Sequence, residues 1–145
     1  HARMPQPYIY SAVLFDLDHF KSINDRYGHQ QGDRVLVDFC QVVKALMPVE
    51  GQFARLGGEE FAALLPGDSE QAQRICERIR LATQLSLPND IGYTVSIGFA
   101  TASQRHQAFP ALLALADEAL YRAKAAGRNR VEGYQTPQAA MAEAG

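Results

Sequence analysis

Four carboxylates occur in two clusters, one at the end of a predicted strand and one at the turn of a predicted hairpin. Asp16 and Asp18 close an apolar run, and Glu59 and Glu60 directly follow the pair Gly57-Gly58. Mg²⁺ usually binds proteins through one or two carboxylates together with waters and substrate phosphates. Two such ions on a nucleoside triphosphate would lower the pKa of an attacking hydroxyl and neutralise charge on the leaving pyrophosphate. The two clusters therefore predict a site for Mg²⁺ and phosphate.

The carboxylates after the glycine pair have a simpler interpretation as solvated loop charges, and an isolated Gly-Gly-Glu-Glu string favours it. The upstream acidic cluster shifts the balance towards a metal site. If extended geometry continues past the first strand, Asp16 and Asp18 share one face of the sheet. Glu59 and Glu60 then point to opposite faces, so alternation alone does not say which of them meets Asp16.

Composition narrows the class of protein. The 145 residues suit one domain, and an apolar fraction of 47% with a charged fraction of 21% is that of a globular protein. A net charge of −2 provides no basic field for nucleic acid. The sequence has no apolar run long enough for a membrane span and no signal-peptide pattern. We therefore expect a cytoplasmic domain without direct membrane contact, although an anchor could lie outside this segment.

Other kinds of site lack their residues. Cys40 and Cys76 are interpreted as free thiols on apolar helix faces, and the four histidines are scattered, so a soft-metal site is not expected. The sequence contains no Walker loop, no GxGxxG after a strand, no GxSxG elbow and no Cys-His pair. The enzyme classes that depend on those motifs are excluded.

Hydrophobic periodicity predicts the elements that must position the carboxylates. We expect a strand at residues 8–17, a short helical turn and loop at 19–32, an amphipathic helix starting near Asp33, a hairpin of residues 52–56 and 59–65, a helix capped by Ser69, a strand at 93–100, a helix at 110–126 and a short strand at 131–134. Residues 1–7 resemble a linker remnant and residues 135–145 a flexible tail, so the domain occupies residues 8–134.

The order of these elements predicts an α+β fold. Strand, helix, two strands, helix and strand match a ferredoxin-like or palm-type β-α-β-β-α-β arrangement, an antiparallel sheet with flanking helices. In that topology the first strand and the hairpin are neighbours. Asp16 should therefore meet the hairpin turn at one end of the sheet, below an open groove.

Three basic residues could hold phosphates in such a groove, namely Lys21, Lys124 and Arg128. The last two stand at the end of a predicted helix, where positive charge also complements the helix dipole. Asp33 stands at the start of another predicted helix, where capping is the favoured interpretation. The residues by themselves indicate a phosphate site and leave the substrate open.

Four segments resemble, in order and spacing, the signature segments of the GGDEF domains, the diguanylate cyclases. They read FDLDHFKSINDRYGHQQGD, RLGGEEF, TVSIGFA and ADEALYRAKAAGRNRV, and together they cover nearly the whole chain. The hairpin has the GGEEF form of the motif, undamaged. The resemblance implies a nucleotidyl-cyclase-like fold that condenses two GTP into cyclic di-GMP and releases two pyrophosphates. Each subunit of an antiparallel homodimer would present one GTP.

The same resemblance implies roles for individual residues. Asp16 and Glu59 would bind two Mg²⁺ or Mn²⁺ ions together with the backbone carbonyl of Leu17, and Glu59 would assist deprotonation of the 3′-hydroxyl. Asn24 and Asp33 would read the guanine, because a carboxylate accepts from guanine N1–H and its exocyclic amine whereas adenine has no N1 proton. This role for Asp33 replaces the capping interpretation.

The implied triphosphate ligands surround the predicted groove and include backbone N–H groups as well as cationic side chains: His19, Phe20, Lys21, Lys124 and Arg128. Gly57 and Gly58 would let the nucleotide approach the backbone closely. Glu60 and Asp18 are secondary candidates for the site.

Two features depart from the family pattern. Many members carry an Arg-x-x-Asp product-inhibition site, and its two positions are occupied here by Pro48 and Gly51, so we expect that inhibition to be absent. The DxLTxLxNR segment that usually opens the domain does not precede Tyr8. In the full-length protein we expect an upstream sensor or receiver domain.

The leading hypothesis is an active cyclase, and the alternative is a non-catalytic GTP-binding or regulatory module of the same fold. Degenerate members generally show a damaged hairpin motif, which this chain does not. A phosphohydrolase or a different cyclase on a related palm is disfavoured, because Asn24 and Asp33 suit guanine.

Overall fold

The computed structural model describes residues 9–102 and 108–134. The predictions for residues 1–7 and for the tail at 135–145 lie outside the described residues. The elements in chain order are β1 Tyr10–Leu17, α1 Phe20–Tyr27, α2 His29–Leu46, β2 Gln52–Gly57, β3 Glu60–Pro66, α3 Ser69–Ser86, a 3-10 turn Pro88–Asp90, β4 Val95–Thr101, α4 Phe109–Ala125 and β5 Val131–Gly133. Within the described ranges, no helix has both the length and the hydropathy that a bilayer span demands.

The five strands form one sheet in the order β2-β3-β1-β4-β5. The pairs β2–β3, β3–β1 and β1–β4 are antiparallel, as predicted. Strand β5 pairs in parallel with β4, so the sheet is mixed rather than wholly antiparallel. Helix α4 forms the crossover between these two strands, and a helical crossover returns the chain in the same direction. The α+β fold and its ferredoxin-like strand order are confirmed.

Alternation along β1 divides its side chains between two cores. Val13 and Phe15 pack with the apolar faces of α2 and α3. Ala12 and Leu14 pack with α4 on the other face of the sheet. Because successive strand side chains point to opposite faces, Asp16 falls at the next position on the α4 side. The strand thus delivers its terminal carboxylate to the helix that carries Lys124.

Helix α2 begins at His29, before its predicted start near Asp33. Gly28 ends α1 and precedes α2, and its φ of 92° lets the chain turn there without a loop. Helix α1 accordingly occupies much of the segment that we expected to be a short turn and a loop. The first turn of α2 contains no acidic residue, so the capping interpretation of Asp33 is wrong.

Helix α3 begins where predicted, but its cap is Asp68 rather than Ser69. The Gln71 backbone N–H donates to the Asp68 carboxylate at 2.9 Å, and the Gln71 side chain accepts from the Asp68 N–H at 2.8 Å. This reciprocal capping box satisfies two backbone donors at the start of the helix. A cap one residue earlier was missed because serine and aspartate are both good caps.

Gly98 in β4 marks a close approach between the sheet and α4. A Cβ added to it would lie 2.2 Å from the Leu120 backbone nitrogen and 2.5 Å from the Ala116 carbonyl oxygen. Both neighbours are helix backbone and cannot rotate away. Glycine therefore sets how closely α4, with Lys124 near its end, lies on the sheet.

We predict that Gly98→Ala lowers the free energy of unfolding by about 1–3 kcal/mol or more, because the methyl group forces α4 away from β4. Chemical denaturation followed by circular dichroism measures this loss. The matched control is Gly92→Ala, whose added Cβ would meet its nearest atom, Leu87 Cδ2, at 3.6 Å. Equal stability of the two variants would contradict the tight packing.

Candidate active site

A cleft of about 220 Å³ lies at the end of the sheet where β1 finishes. It collects residues from four separate parts of the chain: Asp16, Leu17, Asp18, His19, Phe20, Lys21, Glu59, Lys124 and Arg128. All five positions predicted to hold phosphate are in this set, and so are the three positions predicted to hold metal. The fold therefore brings these two groups of candidates together.

Glu59, rather than Glu60, lines the cleft with Asp16. The Cα register of β1 and β3 places Glu60 opposite Asp16, but Glu60 is exposed and does not line the cleft. Glu59 is partly buried in the turn just before β3, and its carbonyl accepts a hydrogen bond from the Leu17 N–H at 3.2 Å. The ambiguity that strand alternation left open is resolved by the turn, where alternation no longer applies.

The hairpin turn is held in shape by glycine and by an arginine. Gly57 and Gly58 have φ values of 152° and 54°, and a bulge separates Arg55 from Gly57 in the pairing with β3. The Arg55 guanidinium donates two hydrogen bonds to the Gly58 carbonyl, at 2.7 and 2.9 Å. The turn that carries Glu59 is thus fixed without help from the glutamate's own carboxylate.

Asp16 is nearly buried and forms an ion pair with Lys124, which comes from the last turn of α4. Burial raises the pKa of the Asp16 carboxyl, Lys124 opposes that effect, and the charges of Glu59 and Asp18 add to it. The net direction is upward. The ammonium group of Lys124 therefore stabilises a carboxylate that the cleft otherwise disfavours.

Lys124 and Arg128 reach the same cleft because of how α4 ends. The Arg128 N–H donates to the Ala123 carbonyl at 3.0 Å, and the Gly127 N–H donates to the Lys124 carbonyl at 3.2 Å. This pair of bonds is a Schellman motif, with Gly127 at a φ of 124° as its left-handed residue. The helix ends within one residue of its predicted end at 126, and the motif places Arg128 beside the cleft.

The start of α1 supplies a further anion-binding element. His19, at the N-cap, has left-handed geometry with a φ of 55° and makes no side-chain capping bond. The first N–H groups of a helix have no partner within it and attract negative charge. His19, Phe20 and Lys21 line the cleft at this end.

The guanine-reading candidates lie outside the residues that line the cleft. Asn24, one turn after Phe20 on α1, packs against Gly32 of α2, where an added Cβ would lie 1.8 Å from Asn24 Oδ1 and 3.3 Å from Phe20 Cζ. Asp33 is the next residue on α2 and is exposed. Phe20 thus connects the cleft to the Asn24 and Gly32 contact. Sequence reasoning did not identify Gly32 as part of this surface, although a glycine inside a helix was a signal for close packing.

Comparison with known sequences and structures bears on what this cleft does. A family model described as "Diguanylate cyclase, GGDEF domain" matches residues 1–130. This chain belongs to the GGDEF family. Diguanylate cyclase DgcS of Shewanella oneidensis is 39% identical over 120 residues, which are 82% of this chain and 40% of DgcS. The response regulator PleD of Caulobacter vibrioides is 40% identical over 131 residues, which are 85% of this chain and 29% of PleD. The chain spans two fifths or less of these relatives.

Solved GGDEF domains share the fold. The GGDEF domain of DgcB from Caulobacter crescentus, solved in complex with c-di-GMP, has a TM-score of 0.81 and 33% identity, covering 89% of this chain and 80% of that one. The active GGEEF domain of a diguanylate cyclase from Vibrio cholerae has a TM-score of 0.83 and 28% identity, covering 88% and 84%. The resemblance drawn from the four sequence segments is confirmed.

The carboxylates of this GGDEF domain fit Mg²⁺ in the presence of a phosphate ligand. Across residues 9–102 and 108–134, no three His, Cys, Asp or Glu side chains converge closely enough to hold a metal on their own. Asp16 and Glu59 supply two hard oxygen donors in one cleft, which is the usual protein share of a Mg²⁺ site that substrate phosphates complete. The donor set therefore suits a metal that arrives with a nucleotide.

We predict that Lys124→Met lowers the free energy of unfolding by about 1–2 kcal/mol at neutral pH, because it leaves the buried Asp16 carboxylate without its charged partner. Thermal and urea denaturation without added metal would measure this. The control is Lys44→Met, which removes an exposed lysine from the last turn of α2. If both variants lost the same free energy of unfolding, Lys124 would contribute only through its interaction with the helix dipole.

Proposed function

We propose that this GGDEF domain is a diguanylate cyclase that condenses two GTP into cyclic di-GMP and releases two pyrophosphates. The observation that carries the proposal is the cleft itself. Three carboxylates, two cationic side chains from the end of α4 and the uncapped start of α1 line one space of about 220 Å³. A site for a triphosphate and its metal needs acidic and cationic groups side by side.

In this proposal one group of cleft residues binds the triphosphate and another group binds the metal. Lys21, Arg128 and the N–H groups at the start of α1 bind the triphosphate. Asp16 and Glu59 would hold Mg²⁺, with the Leu17 carbonyl as a further ligand. When bound, the ion would lower the pKa of the attacking 3′-hydroxyl and neutralise the leaving pyrophosphate.

Proton transfer and charge balance are assigned to residues of the chain. In this proposal Glu59 accepts the proton of the 3′-hydroxyl. Lys124, which pairs with Asp16 in this structure, would turn to the phosphates once Asp16 has another positive partner. The exposed fraction of the lysine side chain, 35%, leaves it room to move.

Guanine selection is assigned to Asn24 and Asp33. The Asp33 carboxylate would accept from guanine N1–H and the exocyclic amine, and Asn24 would supply an amide donor and acceptor beside it. The positions of the two residues support this assignment, because Asn24 packs on Gly32 and Asp33 follows Gly32 on α2. A GTP whose phosphates occupied the cleft would extend past Phe20 towards them.

Assembly and regulation are further parts of the proposal. Each reaction needs two nucleotides, so we propose an antiparallel homodimer with one GTP per subunit, driven by an upstream sensor or receiver domain. Pro48 and Gly51 replace the Arg-x-x-Asp product-inhibition pair, so turnover should not be inhibited by product through that route. A relative, SiaD of Pseudomonas aeruginosa, was solved in complex with its activator SiaC.

We predict that the wild-type domain with Mg²⁺ and GTP yields cyclic di-GMP by mass spectrometry, and that Glu59→Gln lowers turnover at least about 100-fold. The variant should fold normally, because Gly57, Gly58 and Arg55 fix the turn. The control is Glu70→Gln in the first turn of α3, which should retain activity. Recovery of unchanged GTP from the wild type would favour the non-catalytic GTP-binding module, and any other product would point to a different enzyme.

We predict that Asp33→Ala lowers the preference for GTP over ATP by about tenfold, because it removes a charged acceptor for the guanine edge. Competitive binding of the two nucleotides measures the ratio. Asp25→Ala, an exposed carboxylate on α1, is the control. An unchanged ratio in Asp33→Ala would remove this residue from base recognition.

A further inference from the structure

Asp18 lies at the cleft but its carboxylate is engaged elsewhere. The residue is 5% exposed. Its Oδ1 accepts from the Ser96 hydroxyl at 2.7 Å, and its Oδ2 accepts from the Thr94 hydroxyl at 2.7 Å and from the Asn129 backbone N–H at 3.0 Å. Both carboxylate oxygens therefore already accept hydrogen bonds. The donors lie in β4, in the residue before β4 and in the segment after α4. Asp18, a secondary candidate for the site, is therefore a hydrogen-bond acceptor for other segments of the chain in this structure.

The segment that Asp18 holds is the one that carries Arg128. Gly127, Arg128 and Asn129 have φ values of 124°, 65° and 48°, so three successive residues are in positive-φ geometry. For residues other than glycine this conformation is unfavourable and persists only where surrounding contacts enforce it. The Schellman bond fixes the chain before Arg128, and the Asp18 bond fixes the peptide unit directly after it.

We propose that Asp18 is a positioning residue that sets the direction of Arg128 into the cleft by binding the Asn129 N–H. The role rests on the proposed function, in which Arg128 binds the triphosphate. Because that peptide unit joins Arg128 to Asn129, its orientation determines where the arginine side chain begins. Asp18 acts here through hydrogen bonds and not as a metal ligand.

Two substitutions separate hydrogen bonding from charge. In Asp18→Asn, the amide oxygen can still accept from Thr94 and Asn129, while the amide NH₂ can donate to Ser96, whose hydroxyl accepts as well as donates. Asp18→Ala removes all three bonds. A metal ligand would be impaired by both changes, whereas a positioning residue should tolerate asparagine.

A third variant tests the side-chain hydrogen bonds of Asn129, which also constrain this segment. The Asn129 side chain accepts from Arg80 at 3.1 Å and donates to Gln84 at 3.3 Å on α3. Asn129→Gly removes these contacts, keeps the backbone N–H and tolerates positive φ. It serves as the second variant should Asp18→Ala fail to fold.

The experiment measures three quantities for wild type and variants. Affinity for the α,β-methylene analogue of GTP, which cannot release pyrophosphate, is measured by calorimetry. Exchange of the Asn129 amide is followed by NMR. Binding of Mn²⁺ in the presence of saturating analogue is followed by electron paramagnetic resonance, with Asp16→Asn as the variant expected to lose metal.

We expect Asp18→Asn to keep analogue affinity, Mn²⁺ binding and Asn129 protection close to wild type. Asp18→Ala and Arg128→Ala should each weaken the analogue about tenfold, and the double variant should be no weaker than Arg128→Ala alone. Asn129→Gly should weaken the analogue while leaving Mn²⁺ binding unchanged.

Three results would overturn the role of Asp18. Loss of Mn²⁺ binding in Asp18→Asn, as large as in Asp16→Asn, would make Asp18 a metal ligand. Additive effects of Asp18→Ala and Arg128→Ala would make the two residues independent. An exposed Asn129 amide in the wild type would remove the hydrogen bond itself. A wild type that does not bind the analogue would overturn the proposed function, and this role with it, whereas the other failures leave that function standing.

Discussion

The burial of Asp16 in a cleft that it shares with two other carboxylates is the constraint on which the geometry of the site depends. Asp16, Asp18 and Glu59 meet at the end of the sheet, and each is made tolerable in a different way. Asp16 has the Lys124 ammonium, Asp18 has three hydrogen-bond donors, and Glu59 keeps contact with solvent on a turn. Removing Lys124 or the donors to Asp18 would leave a desolvated charge without compensation.

The packing of α4 on the sheet brings Lys124 to Asp16. Ala116, Leu120 and Lys124 follow one another at four-residue spacing, so they lie on one face of the helix. Gly98 lets that face approach β4 at the level of Ala116 and Leu120. The next position along the same face is Lys124, which meets Asp16 at the end of the neighbouring strand. Core packing and site electrostatics are therefore two parts of one contact surface.

The fold was largely predictable because its signals are local and strong. Alternation identified the strands, the Gly57-Gly58 pair marked the hairpin turn, and apolar periodicity identified α4. The start of α2 was not predictable, because Gly28 and polar residues resemble a loop until one knows that a positive φ at Gly28 joins two helices directly. The parallel pairing of β5 depends on the direction in which the chain leaves α4. The periodicity of the sequence does not encode that direction.

The site was predictable as a set of residues and less so as a geometry. Strand alternation could not choose between Glu59 and Glu60, because the choice is made in a turn with a bulge, where alternation fails. Asp18 looked equivalent to Asp16 in sequence, yet its partners Thr94, Ser96 and Asn129 are distant along the chain. Hydrogen bonds between such distant segments leave no periodic pattern to read.

The ion pair between Asp16 and Lys124 connects stability to the proposed activity. Burial raises the pKa of Asp16, so the cleft is electrostatically unfavourable for a free carboxylate and the lysine offsets part of that penalty. In the proposed reaction the same lysine binds phosphate, and it can leave Asp16 only when a second positive charge replaces it there. Metal and nucleotide should therefore enter together, because either one alone would leave Asp16 or Lys124 without its partner. The contact between Lys124 and Asp16 stabilises the cleft. In the proposed reaction this contact must be exchanged, with Asp16 turning to metal and Lys124 to phosphate, so the groups that stabilise the site are also the groups that act in it.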